Sequence, residues 1–420
     1  MIQIPYIDRT IELDIPMENI VFDAYPRCIA PAEELEAILR RALANPIGTP
    51  PLQDMVKPEE RVIIIADDNT RCTPTKQVIP VLLDALNKAG VTDKFIQIMI
   101  ASGTHRPMTR DELDVKYGDQ VLSRVPILTH HYRDPNELVH YGLTDRGTRI
   151  QVNRHVVEAD FRIAVGNIVP HHPVGWSAGA KAVLPGVGGE ETIAQMHLLG
   201  SRDPALGKID TEMRHEIEDF ADKIGLNFIL NVILNREGLL VDAVAGHFAA
   251  AHRVGVKKSK SVWGVTIPRP ADITISSTSP IDFDFYQADK GLFSAEIATQ
   301  IGGEIILVSG CIEGVSPAHP ELASYVGQMT NNEIWSLLSA GDVSDPLTCA
   351  EAIVINDLKD KRNITIVSDG LTPALCIKMG FHHVLPGNLA DYLSTRLEEN
   401  PTLQVGILRQ SGQVLPILPG

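Results

Sequence analysis

The chain has 420 residues, 44% of them hydrophobic and 21% charged, with a formal net charge of −16. That length exceeds what one hydrophobic core usually spans, so two domains with an active-site cleft between them are expected, and the absence of a long low-complexity run excludes a largely disordered chain. The acid excess argues against a general nucleic-acid surface, which needs a basic stripe to hold phosphates, but leaves room for a small anionic ligand on local positive charge.

The opening "MIQIPYIDRTIELDIP" lacks a basic stretch followed by an apolar core, and no apolar run reaches about 18 residues, so the protein reads as soluble and cytoplasmic with no membrane contact. Five scattered cysteines, Cys28, Cys72, Cys311, Cys349 and Cys376, with no C-x-x-C pair, fit thiols in a reducing compartment. "RVIIIADD" (61–68) predicts a buried strand, and "TKQVIPVLLDALNKAG" (75–90) a helix with apolar residues at helical spacing and Gly90 as its stop. "KFIQIMIASGTHR" and "FRIAVGNIVPHH" predict two further strands. Strand, helix and strand in this order imply a largely parallel sheet covered by helices, that is, an α/β fold.

The pattern restarts after the proline-containing "WGVTIPRPAD" (263–272) with "DITISSTS", a helix from about Tyr286 to Ile301, "GEIILVSG", "NITIVSDG" and "TLQVGILRQ". Two mixed α/β domains are therefore expected, 1–268 and 269–400, with residues 401–420 able to return to the first. Three strands of the first half end in "DDNTRCTP", "SGTHRP" and "NIVPHH", which delivers Asp68, Arg71, His105 and His171 to strand C-termini, the edge where open α/β sheets bind ligands.

Lys181 lies in "GWSAGAKAVLPG", among small and apolar residues, where an ammonium is costly and its pKa tends to fall; a deprotonated lysine is a nucleophile toward a cofactor or carbonyl. The bland alternative is a lysine reaching solvent. "GVGGEET" (186–192) has the composition to offer backbone N–H groups to a phosphate at a helix start, although no G-K-[ST] follows and it lacks the last glycine of a dinucleotide fingerprint. His171, His172 and His197 are candidate metal ligands, but adjacent side chains diverge on an extended chain, so this set divides between one ligand and one acid/base.

Taken in order, "DDNTRCTP", "SGTHRP", "PHHPVGWSAGAKAVLPGVGGEETIAQMH" and "FYQADKG" resemble the nickel-dependent lactate racemase family and its 2-hydroxyacid racemase and epimerase homologues, across nearly the whole chain. The resemblance implies an isomerase carrying a nickel-pincer nucleotide (pyridinium-3,5-bisthiocarboxylic acid mononucleotide). It implies a tether at Lys181 and a nickel-binding His197. It also implies a catalytic pair, His105 and His171, with His172 as the less favoured second member. Arg71 and Lys290 match the cationic substrate-binding positions, and Tyr286 and Gln287 match positions beside them. Asp68, Gly186, Gly188, Gly189 and Thr192 are taken as cofactor-binding. Implied too are a hydride transfer through a 2-keto acid, a small 2-hydroxyacid substrate and cofactor-making partner proteins.

Which acid is inverted depends on a small pocket; Trp176 is a candidate wall, and a sugar-acid epimerase is an alternative within the class. A non-catalytic cofactor-storage protein of the same fold has no need of two bases, and a nicotinamide dehydrogenase wants a complete G-x-G-x-x-G after a strand.

Overall fold

The computed structural model describes residues 1–203 and 205–419. Two six-stranded sheets organise it. In chain order their strands are β1 (Ile20–Ala24), β2 (Val62–Ala66), β3 (Ile96–Ile100), β4 (Ile127–Thr129), β5 (Phe161–Asn167) and β6 (Phe228–Leu234). There follow β7 (Leu240–Gly246), β8 (Ala271–Ser277), β9 (Thr299–Val308), β10 (Asn363–Val367), β11 (His382–Val384) and β12 (Val405–Arg409).

One compact unit comprises residues 28–169 and 173–262. Its sheet has the order β7-β6-β5-β2-β3-β4, parallel except for β7, which runs antiparallel to β6. β2 reads Val-Ile-Ile-Ile-Ala with every residue buried, as a strand covered on both faces requires. Its Val62, Ile64 and Ala66 share a core with Val78, Ile79, Leu82, Leu83 and Leu86 of α1 (Thr75–Lys88). That spacing is the apolar stripe of an amphipathic helix. Gly90 follows α1 at φ +97°, a left-handed position that glycine occupies without strain.

The other unit comprises residues 1–27, 170–172 and 263–419. Its sheet, β11-β10-β9-β8-β12-β1, is parallel throughout. Ile273, Ile275, Ile306, Val308, Val405 and Ile407 form its core with Ile4, Tyr6 and Leu13 of an N-terminal hairpin. This division differs from the expected one. Residues 401–419 stay with the C-terminal sheet, because β12 pairs with β8 on one side and β1 on the other, and the first 27 residues join them. The pair His171 and His172 also groups with this unit rather than with the N-terminal one. The helix predicted over Tyr286–Ile301 is two, Phe285–Ala288 and Lys290–Ala298, and β9 begins directly after them at Thr299, whose Oγ1 donates to Thr274 Oγ1 at 2.8 Å.

Three buried histidines are held neutral. His130 donates from Nε2 to Gly188 O at 2.8 Å, and burial pushes its pKa down to about 4. His172 stacks on Phe293 with ring centroids 3.6 Å apart, and burial pushes it down to about 3. His252 donates from Nε2 to Ser177 O at 2.8 Å and is likewise depressed by burial. In the unfolded chain each takes a proton near pH 6.5. Their contribution to stability is therefore fully present above about pH 6.5 and is lost as pH falls toward their folded values, at up to about 1.4 kcal/mol per pH unit for each group. The urea midpoint is expected to fall between pH 6.5 and 5, and His130→Gln to flatten that slope; a midpoint flat over this range would contradict the assignment.

Candidate active site

Parallel strands deliver the loops that follow them to one edge of the sheet, and in the first unit β2 and β3 end in the segments that carry the predicted acid/base groups. Asp68 is 2% exposed. Its Oδ2 accepts from His105 Nδ1 at 2.6 Å, and its Oδ1 accepts from the Thr70 backbone N–H at 3.1 Å and from Thr70 Oγ1 at 2.5 Å. Burial acts to raise the Asp68 carboxyl, but His105, Arg71 and Thr70 outweigh it and hold the group well below the usual carboxylate range. Because Asp68 is an acceptor only, His105 carries its proton on Nδ1, which in the neutral ring puts the lone pair on Nε2. Arg71 is joined to the same cluster through Nη1, which donates to Thr70 Oγ1 at 2.8 Å.

A second carboxylate fastens both loops. Glu112, third residue of the helix Arg110–Leu122, forms a capping box with Thr109. It also receives Arg106 Nη1 at 2.8 Å, Arg106 Nη2 at 2.7 Å and Asn69 Nδ2 at 2.8 Å. The Arg106 bonds first, and then the Thr109 cap, outweigh burial and pull its pKa down to about 2. Lys116, from the same helix, donates to Arg71 O at 2.5 Å and Thr73 O at 2.8 Å, and Tyr117 OH donates to Asp67 O at 3.0 Å. Neither Glu112 nor Lys116 was singled out by the sequence; the signal for Glu112 was the T-x-x-E spacing.

Lys181 lies half-buried in the short 3-10 turn Gly179–Ala182, among buried Gly179, Ala180 and Ala182. Its loop is tightly held. Ser177 Oγ donates to Asn167 O at 2.6 Å and accepts from Val169 N at 2.8 Å, while Asn231 Oδ1 accepts from Gly179 N at 2.9 Å. Ala178 stands at φ +58°, ψ −158°, a conformation that L-residues rarely adopt. Gly103, in the turn before His105, donates from its backbone N–H to Gly186 O at 2.9 Å, which joins the His105 turn to the lysine loop. Trp176, 1% exposed, donates from Nε1 to Gly207 O at 3.1 Å and is packing rather than an open wall.

The glycines 186, 188 and 189 do not form a phosphate cradle. Gly186 N donates to Lys181 O at 3.4 Å, Gly188 N to Pro185 O at 3.0 Å, Gly189 N to Gln151 O at 2.8 Å and Glu190 N to Tyr132 O at 3.0 Å, so these N–H groups are spent inside the chain. Close packing explains the residue type: a Cβ at Gly186 would lie 2.1 Å from Ala182 O, and one at Gly189 2.1 Å from Gln151 Oε1. Thr192 is likewise a stitch, its Oγ1 donating to Arg149 O at 2.6 Å and accepting from Gln151 N at 3.0 Å. The helix that follows, Glu190–Gly200, carries His197, whose Nδ1 donates to Ile193 O at 2.8 Å and so leaves the imidazole lone pair on Nε2, the arrangement of a metal-ligating histidine.

In the second unit, Tyr286, Gln287 and Lys290 come from one short passage after β8. Asp284 caps it, accepting from Gln287 N at 2.8 Å, and Lys290 Nζ donates to Gln287 Oε1 at 2.6 Å. The Tyr286 ring lies 5.1 Å from that of His319, which donates from Nδ1 to Asp345 at 2.7 Å. The His319–Asp345 pair joins residues far apart in sequence and had no local signal.

Asp68, held as a carboxylate, fixes the tautomer of His105 on a parallel α/β scaffold beside a lysine in a strained loop, an arrangement suited to acid/base chemistry. Models of the lactate racemase N-terminal domain and C-terminal domain match residues 6–207 and 267–324. Lactate racemases from Thermoanaerobacterium thermosaccharolyticum and Lactiplantibacillus plantarum are each 33% identical, over 323 and 324 residues, covering 74% of this chain and 75% of theirs. The structure of the lactate racemase apoprotein from T. thermosaccharolyticum superposes with a TM-score of 0.87 at 27% identity over 100% of both chains. A Thermotoga maritima protein shares the fold, with a TM-score of 0.74 at 20% identity over 91% of this chain and 98% of that one. The chain belongs to the lactate racemase family, a family of isomerases.

Gly186→Ala tests the packing account of the lysine loop. With a backbone oxygen in the way, it is expected to destabilise the protein by about 1–3 kcal/mol, the usual cost of overpacking. A thermal midpoint equal to that of the parent would show that the loop has room.

Proposed function

We propose that the protein is a racemase or epimerase that inverts C2 of a 2-hydroxyacid, with His105 and His171 as the two acid/base groups. The observation that carries this reading is the Asp68–His105 hydrogen bond, which holds a histidine in one tautomer beside a cationic Arg71. Inversion must start from both enantiomers, whose hydroxyls point to different sides, so two bases are needed. His105 Nε2 takes the hydroxyl proton of one enantiomer while His171 gives a proton to the hydroxyl of the product, and the two exchange roles in the reverse direction. Arg71 grips the substrate carboxylate bidentately. Lys290, steadied by Gln287, adds a point charge, and Tyr286 comes from the same passage of chain. His171 is preferred over His172 because His172 is sealed against Phe293 and its proton affinity is suppressed by burial.

The family's nickel-pincer nucleotide fits the residues present. Among the described residues no three His, Cys, Asp or Glu side chains gather as a metal site, so a metal at His197 takes its remaining ligands from outside the polypeptide. Lys181, held in a rigid turn, would carry the tether and His197 Nε2 would ligate the nickel. When bound, the group supplies a hydride acceptor for C2. Loading would need the cofactor-making proteins of the family. No described helix is long and apolar enough to cross a membrane, which fits a small-molecule enzyme working in the cytoplasm.

The test is expression with such maturation proteins, followed by chiral chromatography of single 2-hydroxyacid enantiomers, nickel analysis and intact-mass measurement. Lys181→Ala should lose a nucleotide-sized adduct, and His197→Ala should retain less nickel. His105→Ala and His171→Ala should each lose about 10² to 10⁴ in rate in both directions while keeping adduct and metal. Near-parental activity of His171→Ala with a dead His172→Ala would move the second base by one residue, and an undiminished adduct in Lys181→Ala would reject the tether.

A further inference from the structure

In the sheet of the second unit, β9, β10 and β11 follow β8 outward on one side, whereas β12 returns to pair with β8 on the other. The strand order therefore reverses at the β8–β12 boundary. Loops leaving the C-terminal ends of two such strands part in opposite directions and open the crevice in which parallel α/β sheets bind ligands. The loop after β8 leads to Tyr286, Gln287 and Lys290. Nothing in the reaction proposed above uses the turn after β12, Gln410–Gln413.

That turn is fixed on both sides. Before it, Arg409 grips Asp23 with two prongs, Nε at 2.8 Å and Nη2 at 2.9 Å. After it, Ser294 Oγ of the helix Lys290–Ala298 donates to Val414 O at 2.7 Å, and Gln413 N donates to Gln410 O at 2.9 Å across the turn itself. Ser276, near the end of β8, joins the two loops: its Oγ donates to Gly291 O at 2.9 Å and lies 2.8 Å from Ser411 Oγ. A Cβ on Gly412 would stand 3.9 Å from Lys290 Cβ, so the turn touches the lysine. The strand Pro170–His171, which carries the proposed second base, lies against the same turn with Cα atoms within 8 Å. Between the locked Arg409 and the buried Ser411 stands half-buried Gln410, at φ +51° and ψ +41°. That left-handed conformation is uncommon for any residue but glycine, asparagine or aspartate, and is kept where the surroundings or a function over-determine it.

We infer that Gln410 is a further substrate-binding residue, whose side-chain amide donates a hydrogen bond to the carboxylate that Lys290 attracts. The inference rests on the 2-hydroxyacid reading above and adds a contact to it. An ammonium on a flexible stem is a point charge that sets no direction. An amide N–H held beside it by a rigid turn supplies the direction, and brings no negative charge to repel the acid. The residue type follows as well: backbone conformation alone favours glycine at this position, so the amide rather than the turn accounts for a glutamine there.

The test compares the nickel-loaded parent with Gln410→Gly and Gln410→Glu, using the enantiomers of lactate, 2-hydroxybutyrate and malate as probes. Gln410→Gly frees the backbone and removes the amide, so its thermal midpoint should stand at or above that of the parent while kcat/KM falls about 10- to 10²-fold, the size of a lost hydrogen bond to a charged group. KM should carry most of that loss, as for a contact made in the ground state and the transition state alike. Gln410→Glu is nearly isosteric but sets an anion beside the substrate carboxylate, and should fall further than the glycine variant. Nickel content and adduct mass should stay intact in both. Gln410→Asn, whose shorter amide tolerates the same backbone, serves if the glycine variant does not fold, with a loss between the parent and Gln410→Glu. A parental KM in Gln410→Gly, a Gln410→Glu as active as the parent, or a lowered thermal midpoint with KM unchanged would overturn the inference and leave the racemase reading in place. A parent with nickel and adduct that inverts none of the probes would sink that reading and this inference together.

Discussion

A carboxylate buried as deeply as Asp68 must collect hydrogen bonds or give up its charge, and the first unit is arranged around the former outcome. Its donors are Thr70 and His105, and each transmits the constraint further. Thr70 Oγ1 places Arg71, and the bond to His105 Nδ1 decides which imidazole nitrogen has a lone pair. Glu112 then ties Asn69 and Arg106, on the two loops concerned, to a single helix cap. The state of the His105 imidazole thus depends on a bond made by a neighbouring carboxylate and on loops fixed at the edge of a parallel sheet.

The lysine loop shows a different use of close packing. "GVGGEET" suggested a phosphate cradle because its composition suits one. Whether a backbone N–H faces a ligand or a neighbouring carbonyl is decided by tertiary partners, here Gln151, Tyr132 and Pro185, that lie outside the motif. The glycines are needed because the loop folds back on Ala182 and on the Gln151 side chain with no space for a Cβ. Pre-organisation of Lys181, with Ala178 in a rarely populated conformation and Asn231 holding Gly179, is what this packing achieves.

How much of this was legible follows the range of the interactions. β2 and α1 were readable because a doubly covered strand and an amphipathic helix write their burial into adjacent residues. β1 was not, since Ile20–Ala24 is a strand only by pairing with residues some 380 positions later, and β6 was missed because Asn231 interrupts its apolar run. Residues 170–172 group with the C-terminal unit for reasons no local pattern carries. That His172 stacks on Phe293, more than a hundred residues away, is a contact no local pattern carries. His319–Asp345 was invisible for the same reason: each member alone reads as an ordinary polar residue.

Asp68 and Asp289 are the same side chain, equally buried, with proton affinities driven in opposite directions. Donors make the difference. Asp68 has a backbone N–H, a hydroxyl and an imidazole N–H that hold its carboxyl low, while burial pushes the Asp289 carboxyl well up. Pairs of titratable groups pushed apart in this way mark where a protein separates chemical roles. An ionised Asp68 suits a partner that must give and take protons.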